Sequence, residues 1–259
     1  MAPESDAPAI LVERLTKRFG SVTALTDVSF EVRRGEVFGL LGSNGAGKTT
    51  TLKMVCGLLR PDEGRVLVRG VDVARSPVEA KALLGYLPEA PALYDQLTGR
   101  EFLEMVGTLR GMRPPLLHER IHELLEAMEL EAFQWNNIGT YSRGMRQKLA
   151  FCAALIHDPA ILVLDEPLSG LDPRFGKLFK MWIRERSGNG GAVLMSTHIT
   201  TNAEELCDRV AVLDRGRVLA SGTVSEVMEA AGAKTLEDAF VALVGGGRWA
   251  RLPSSQRTR

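Results

Sequence analysis

The sequence has little cysteine, no net charge and no long apolar run. Its three cysteines, Cys56, Cys152 and Cys207, are odd in number and far apart in 259 residues. That pattern excludes a disulfide framework and a CxxC metal site. Lys plus Arg total 32 and Asp plus Glu total 32, for a net charge of zero. A globally basic nucleic-acid binder is thereby disfavoured, and no nucleic-acid partner is expected. The longest strongly apolar stretch is five residues, 160–164, whereas a transmembrane helix needs about 20. The first nine residues, MAPESDAPA, carry acids and prolines where an export signal has basic and then apolar residues. A cytosolic chain is the expectation.

What is present is ordinary for a soluble globular protein: 45% hydrophobic and 25% charged residues. The length, about 1.7 times a typical domain, allows a full core without metal or disulfides. Short β-rich runs at 10–14, 28–32 and 36–41 predict strands, and 48–59 has the residue types of a helix. A strand pair is expected over 65–73 around Gly70. From 97 to 157 the character is helical. Leu117, Ile121, Leu124, Leu125 and Met128 fall on one face, and Pro114 and Pro115 mark that helix's start. Strands return at 161–164, 192–196, 209–213 and 217–221, alternating with helical patterns as an α/β sheet requires. Two short helices are expected at 224–231 and 236–244. The predicted organisation is a core lobe of 1–96 and 158–222, a helical subdomain at 97–157 and a helical extension at 223–247. A disordered tail is expected at 248–259, which holds Arg248, Arg251, Arg257 and Arg259; contact with anionic lipid is the weaker expectation for it.

Gly42-Ser43-Asn44-Gly45-Ala46-Gly47-Lys48-Thr49 fits G-x-x-x-x-G-K-[ST] between an apolar strand and a helix, the context a phosphate loop needs. Glycines let backbone N–H groups close around phosphate oxygens, and the helix N-terminus favours an anion. Lys48 is placed to reach the β- and γ-phosphates and the Thr49 hydroxyl to ligate Mg²⁺. Residues 161–167, ILVLDEP, read as an apolar strand delivering two acids. Asp165 helps hold Mg²⁺ in this class. Glu166 faces the other way if the strand continues, and would act as general base on an attacking water.

His118-Glu119-Arg120-Ile121-His122 is a literal H-E-x-x-H with Glu119 as the formal base. Both histidines flank the apolar face of an amphipathic helix, so zinc chemistry is not expected there.

Tyr141-Ser142-Arg143-Gly144-Met145-Arg146-Gln147-Lys148 resembles the signature motif of ABC-family ATPases and lies 23 residues before Asp165, counted from Ser142. Ser169-Gly170-Leu171-Asp172 looks like the family's D-loop, and Ser196-Thr197-His198 places its switch histidine. Gly85 to Glu89 looks like the Q-loop, and Phe19 sits where the family has an adenine-stacking aromatic. The resemblance spans 10–222. It implies a two-lobed P-loop NTPase of α/β class, with a RecA-like core, an antiparallel β subdomain and a helical subdomain. It also implies that ATP and Mg²⁺ are bound by Gly42 to Thr50, Asp165 and Glu89, with His198 and Lys48 assisting Glu166 in catalysis. Ser142 and Gly144 would contact the γ-phosphate of ATP held by the opposite subunit of a head-to-tail homodimer or paralogue heterodimer.

Arg143 stands where the family has glycine, Tyr141 where it has leucine, Met145 where it has glutamine, and Glu89 replaces the usual glutamine. Glu89, the YSxGM form and Leu236-Glu237-Asp238-Ala239-Phe240 resemble the type 2 exporter subgroup. The implied partners are integral-membrane permease subunits at the cytoplasmic face, docking near 89–98 with Leu93 and Tyr94. The alternative is a soluble ABC ATPase, for example of the iron–sulfur assembly type, not coupled to transport.

Overall fold

Strand residues that are buried on both faces build the centre of this molecule, as parallel sheets demand. The computed structural model describes residues 7–245. In chain order, β1 (Ile10–Phe19) and β2 (Val22–Val32) form a hairpin, and β3 (Val37–Leu41) leads into α1 (Lys48–Val55). β4 (Glu63–Val68) and β5 (Val71–Asp72) precede α2 (Pro77–Ala82) and β6 (Leu84–Leu87). Three helices follow, α3 (Gly99–Leu109), α4 (Pro114–Ala127) and α5 (Arg143–Leu155). The chain then runs through β7 (Ile161–Asp165), α6 (Pro173–Gly188), β8 (Ala192–Thr197), α7 (Thr200–Leu206) and β9 (Arg209–Asp214). The last elements among the described residues are β10 (Arg217–Thr223), α8 (Val224–Ala230) and α9 (Leu236–Gly245).

Two sheets result. The larger has the order β10-β9-β3-β8-β7-β6, parallel except for β10, which pairs antiparallel with β9 at the edge. β3, β7 and β8 are buried at every residue. The smaller sheet, β2-β1-β4-β5, is antiparallel. Phe30 of β2 stacks on Phe38 of β3 with ring centroids 5.2 Å apart, joining the two sheets.

The helices α3 to α5 pack around the face predicted for α4: Leu117, Ile121, Leu124, Leu125 and Met128 are all buried, in one cluster with Phe102, Leu103 and Leu149. Thr98 caps α3 through a full capping box with Glu101, which satisfies two backbone donors at its start. α9 packs on α7 and α8, with Leu236 and Ala239 fully buried.

Several boundaries differ from the sequence expectation for identifiable reasons. β1 and β2 extend well past 14 and before 28, because register shifts between Val12 and Arg18 break the alternation that marks a strand. The helix expected to reach 59 stops at Val55, with Cys56 capping it and Gly57 at φ +62, a left-handed residue that ends a helix. The arginine-rich tail at 248–259 lies outside the described residues.

Candidate active site at the strand ends

Ligands of open α/β sheets bind beyond the carboxyl ends of the strands, and here three adjacent strands end together. Leu41 of β3 pairs with Thr197 of β8, and Asp165 of β7 pairs with Ser196. The loop after β3, the acids ending β7 and the histidine after β8 are therefore level with one another.

The loop is shaped by close backbone approach. A Cβ on Gly42 would lie 2.5 Å from the Leu213 carbonyl oxygen. Gly47, at φ +110, caps α1 without a side-chain hydrogen bond, and no acid sits in the first turn. The first N–H donors of α1 are thus left for an anionic ligand. Lys48 is buried, and its Nζ donates to the Gly42 carbonyl at 2.7 Å and to that of Ser43 at 3.2 Å. It also lies 3.3 Å from Glu166 Oε1.

A cleft of about 340 Å³ is lined by Ala24, Ser43, Asn44, Gly45, Gly47, Lys48, Thr49, Thr50, Glu89 and Glu166. The structure thus brings most of the sequence-predicted loop together with Glu166 and with Glu89, which follows β6. Ala24 of β2 is an addition that sequence reasoning missed; a lone alanine carries no signal.

Asp165 and Glu166 are divided by a turn rather than by strand alternation. β7 ends at Asp165, and Glu166 has φ +47, the left-handed region that a non-glycine residue rarely enters. This corrects the expectation that Glu166 faces away as the strand continues. Its carboxylate turns instead toward Lys48 and toward His198, whose Nδ1 is 2.9 Å from Oε1. The His198 backbone N–H donates to Oε2 at 3.4 Å. Asp165 is 1% exposed; its Oδ1 accepts from the Ser196 hydroxyl at 2.5 Å, while Oδ2 is buried without a partner.

Ser196 is the second residue that sequence reasoning passed over. Its Oγ receives the Glu166 backbone N–H at 3.0 Å while its hydroxyl donates to Asp165. One side chain therefore fixes both acids. Ser196→Ala leaves a buried N–H and a buried carboxylate oxygen unpaired, so a loss of about 1–3 kcal/mol in unfolding free energy is expected. Denaturant melting of the two proteins checks it.

The remaining candidates lie elsewhere in the chain. Phe19 is 50% exposed at the end of β1, with Lys17 Nζ 5.5 Å from its ring centroid, and does not line the cleft. Ser142 is exposed and caps α5, accepting from the Met145 N–H at 3.2 Å; Gly144 is partly buried in the first turn. Neither residue lines the cleft of its own chain. His118 and His122 project from α4 into solvent and approach different carboxylates, Glu104 at 3.8 Å and Glu131 at 3.9 Å.

The family model described as ABC transporter matches residues 25–169, a stretch holding the phosphate loop, the signature-like helix start and both acids. The chain belongs to the ABC transporter family. Within it, the chain is 39% identical over 241 residues to the probable multidrug ABC transporter ATP-binding protein YbhF of Escherichia coli. That match spans 91% of this chain and 41% of YbhF, so the chain corresponds to about two fifths of that relative's length. The daunorubicin resistance ATP-binding protein DrrA3 of Streptomyces coeruleorubidus is 40% identical, over 88% of this chain and 72% of its own. A solved ATP-binding subunit of an ABC transporter is 33% identical, with a TM-score of 0.85, covering 91% of this chain and 99% of that one. ABC family membership fits the α/β fold and the glycine-rich cleft, and no helix among the described residues is long and apolar enough to cross a membrane.

Proposed function

We propose that this chain binds and hydrolyses ATP and thereby powers an ABC exporter. The observation that carries the reading is the convergence of the glycine loop, Lys48, Glu89 and Glu166 on one cleft, with His198 against Glu166. Gly42 to Thr50 cradle the phosphates through backbone N–H groups and the open start of α1, and Lys48 leaves its backbone carbonyls for phosphate oxygens. Phe19, exposed at the tip of the β1–β2 hairpin, serves as the platform for the adenine face.

In hydrolysis, water attacks the terminal phosphorus and the bond to the bridging oxygen breaks, giving ADP and phosphate. Glu166 takes the water's proton. His198 holds that carboxylate through its backbone N–H, which donates to Oε2, while its ring stands 2.9 Å from Oε1. The donor set fits a hard divalent cation: Asp165 presents a buried, unpartnered Oδ2, Thr49 a hydroxyl, and Glu89 a second carboxylate. Mg²⁺ on these oxygens, when bound, supplies neutralisation of phosphate charge.

Ser142 and Gly144 lie outside their own chain's cleft and complete the site of a second ATPase subunit, identical or paralogous, in a head-to-tail dimer. The lobes are assigned as 1–96 with 158–222, and 97–157, with 223–247 as an extension. Integral-membrane permease subunits dock at 89–98, where Tyr94 is 58% exposed, and hold the chain at the cytoplasmic face of the membrane. Relatives named for multidrug and daunorubicin resistance support export as the direction. The test is isolation of the tagged chain from detergent-solubilised membranes. Integral-membrane subunits are expected to come with it in stoichiometric amount. Recovery of the chain alone, from the soluble fraction only, would overturn the transporter reading.

A further inference from the structure

We infer that Arg143 is a positioning residue that couples the two ATP sites of the closed dimer, acting through Gly170. Gly170 has φ +73, and a Cβ built on it would lie 2.8 Å from Arg143 Cζ and 3.0 Å from its Nε and Nη2. The guanidinium therefore lies against the exposed Gly170 face, in the space a side chain there would take, so a larger residue at 170 would push it aside. A flat, rigid guanidinium suits such a surface better than an ammonium does.

The contact joins two pieces of machinery. Arg143 is the first residue of α5 and follows its cap, Ser142. Gly170 lies four residues after Glu166 in a turn fixed at both ends. The Ser169 N–H donates to the Glu166 carbonyl at 3.0 Å, and the Asp172 side chain caps α6 by accepting from Phe175 N–H at 2.9 Å. A displacement of Arg143 is therefore delivered to the backbone that carries Glu166.

Arg143 is exposed, and its placement at the helix start is mildly unfavourable. A cation at a helix N-terminus opposes the macrodipole, and α5 has no acid in its first turn to offset it. Among the described residues, no carboxylate forms an ion pair with Arg143 within 4.0 Å. Its local contact is the turn.

This inference rests on the dimer reading above. There, Ser142 meets the ATP held by the opposite chain, whereas Glu166 acts on the ATP held by its own. Arg143 then touches, inside one chain, the parts that serve two different sites. Closing one site moves the start of α5, Arg143 moves with it, and the turn after Glu166 adjusts the other. A signature-like motif with glycine at this place has no side chain to make that link.

The experiment compares the full chain with Arg143→Ala, Gly170→Ala and the double variant, measuring hydrolysis against ATP concentration. Wild type is expected to be sigmoidal, with a Hill coefficient approaching about 2 for two coupled sites. Arg143→Ala lowers it to about 1. The double variant matches either single one, the non-additivity expected of residues acting through one contact. Any strain from alanine at φ +73 is common to both arms that contain it. An unchanged Hill coefficient in Arg143→Ala, or effects that simply combine in the double variant, would overturn the inference. Glu166→Gln and Glu166→Gln/Arg143→Ala are sized by gel filtration with ATP. Both are expected to dimerise. If Glu166→Gln stays monomeric, the dimer reading fails, and the coupling with it. If it dimerises while wild-type kinetics are hyperbolic, the coupling alone fails.

Discussion

Glu166→Gln binds ATP with a dissociation constant within a few-fold of wild type but loses on the order of 10²–10⁴ in turnover, the usual contribution of a general base. The amide is the same size as the carboxylate and keeps an oxygen to accept the His198 N–H, now 3.4 Å from Oε2. The left-handed backbone at φ +47 is unchanged by the substitution. What disappears is the ability to take a proton from water. ATP that closes two subunits then persists, so the variant accumulates as a dimer in ATP and as a monomer without it, a population shift toward the liganded state. Single-turnover hydrolysis and gel filtration read the two effects separately. Turnover like that of wild type would sink the assignment of the base.

Lys48→Ala produces the largest loss in binding. The buried ammonium makes two hydrogen bonds to loop carbonyls and stands 3.3 Å from Glu166. Phosphate oxygens replace those partners with charge-assisted bonds, each about 1.5–3 kcal/mol. Two such bonds lost weaken ATP binding on the order of 10²-fold or more. Titration with a fluorescent ATP analogue measures it, with far-UV circular dichroism to show an unchanged fold. Wild-type affinity in this variant would mean that backbone N–H groups alone hold the phosphates.

The site was legible where residue type and chain context agree. A buried run ending in glycines and then Lys-Thr marks a phosphate-loop candidate, and Asp165 and Glu166 stand out as paired acids ending an apolar strand, whereas His198 is marked only by the family resemblance. β3, β7 and β8 announced themselves as short apolar runs. β6 did not: its four residues, Leu84–Leu87, are too few for a pattern and merge into the loop that follows. The hairpin of β1 and β2 was under-read because bulges erase the two-residue period. The turn at Glu166 left no mark, since no residue type announces a left-handed non-glycine. Ser196 was hidden differently. It is the polar residue near the end of an apolar strand, and only the register with Asp165 gives it a role. Ser142 and Gly144 were legible as a motif, but one chain's fold holds them away from its own cleft.

The scarcity of cysteine acquires a practical meaning. Cys56, Cys152 and Cys207 are all buried. Burial pushes the thiols of Cys152 and Cys207 up to about 12, and raises Cys56 further with the charge of Asp165 adding to it. Thiolate is the form that reacts with maleimides, so the native protein is close to inert toward them. A single cysteine introduced at an exposed place such as Val22, 63% accessible, becomes the one position a dye or spin label finds. Distance measurements between two labelled copies can then test the proposed opening and closing in the unaltered cysteine background.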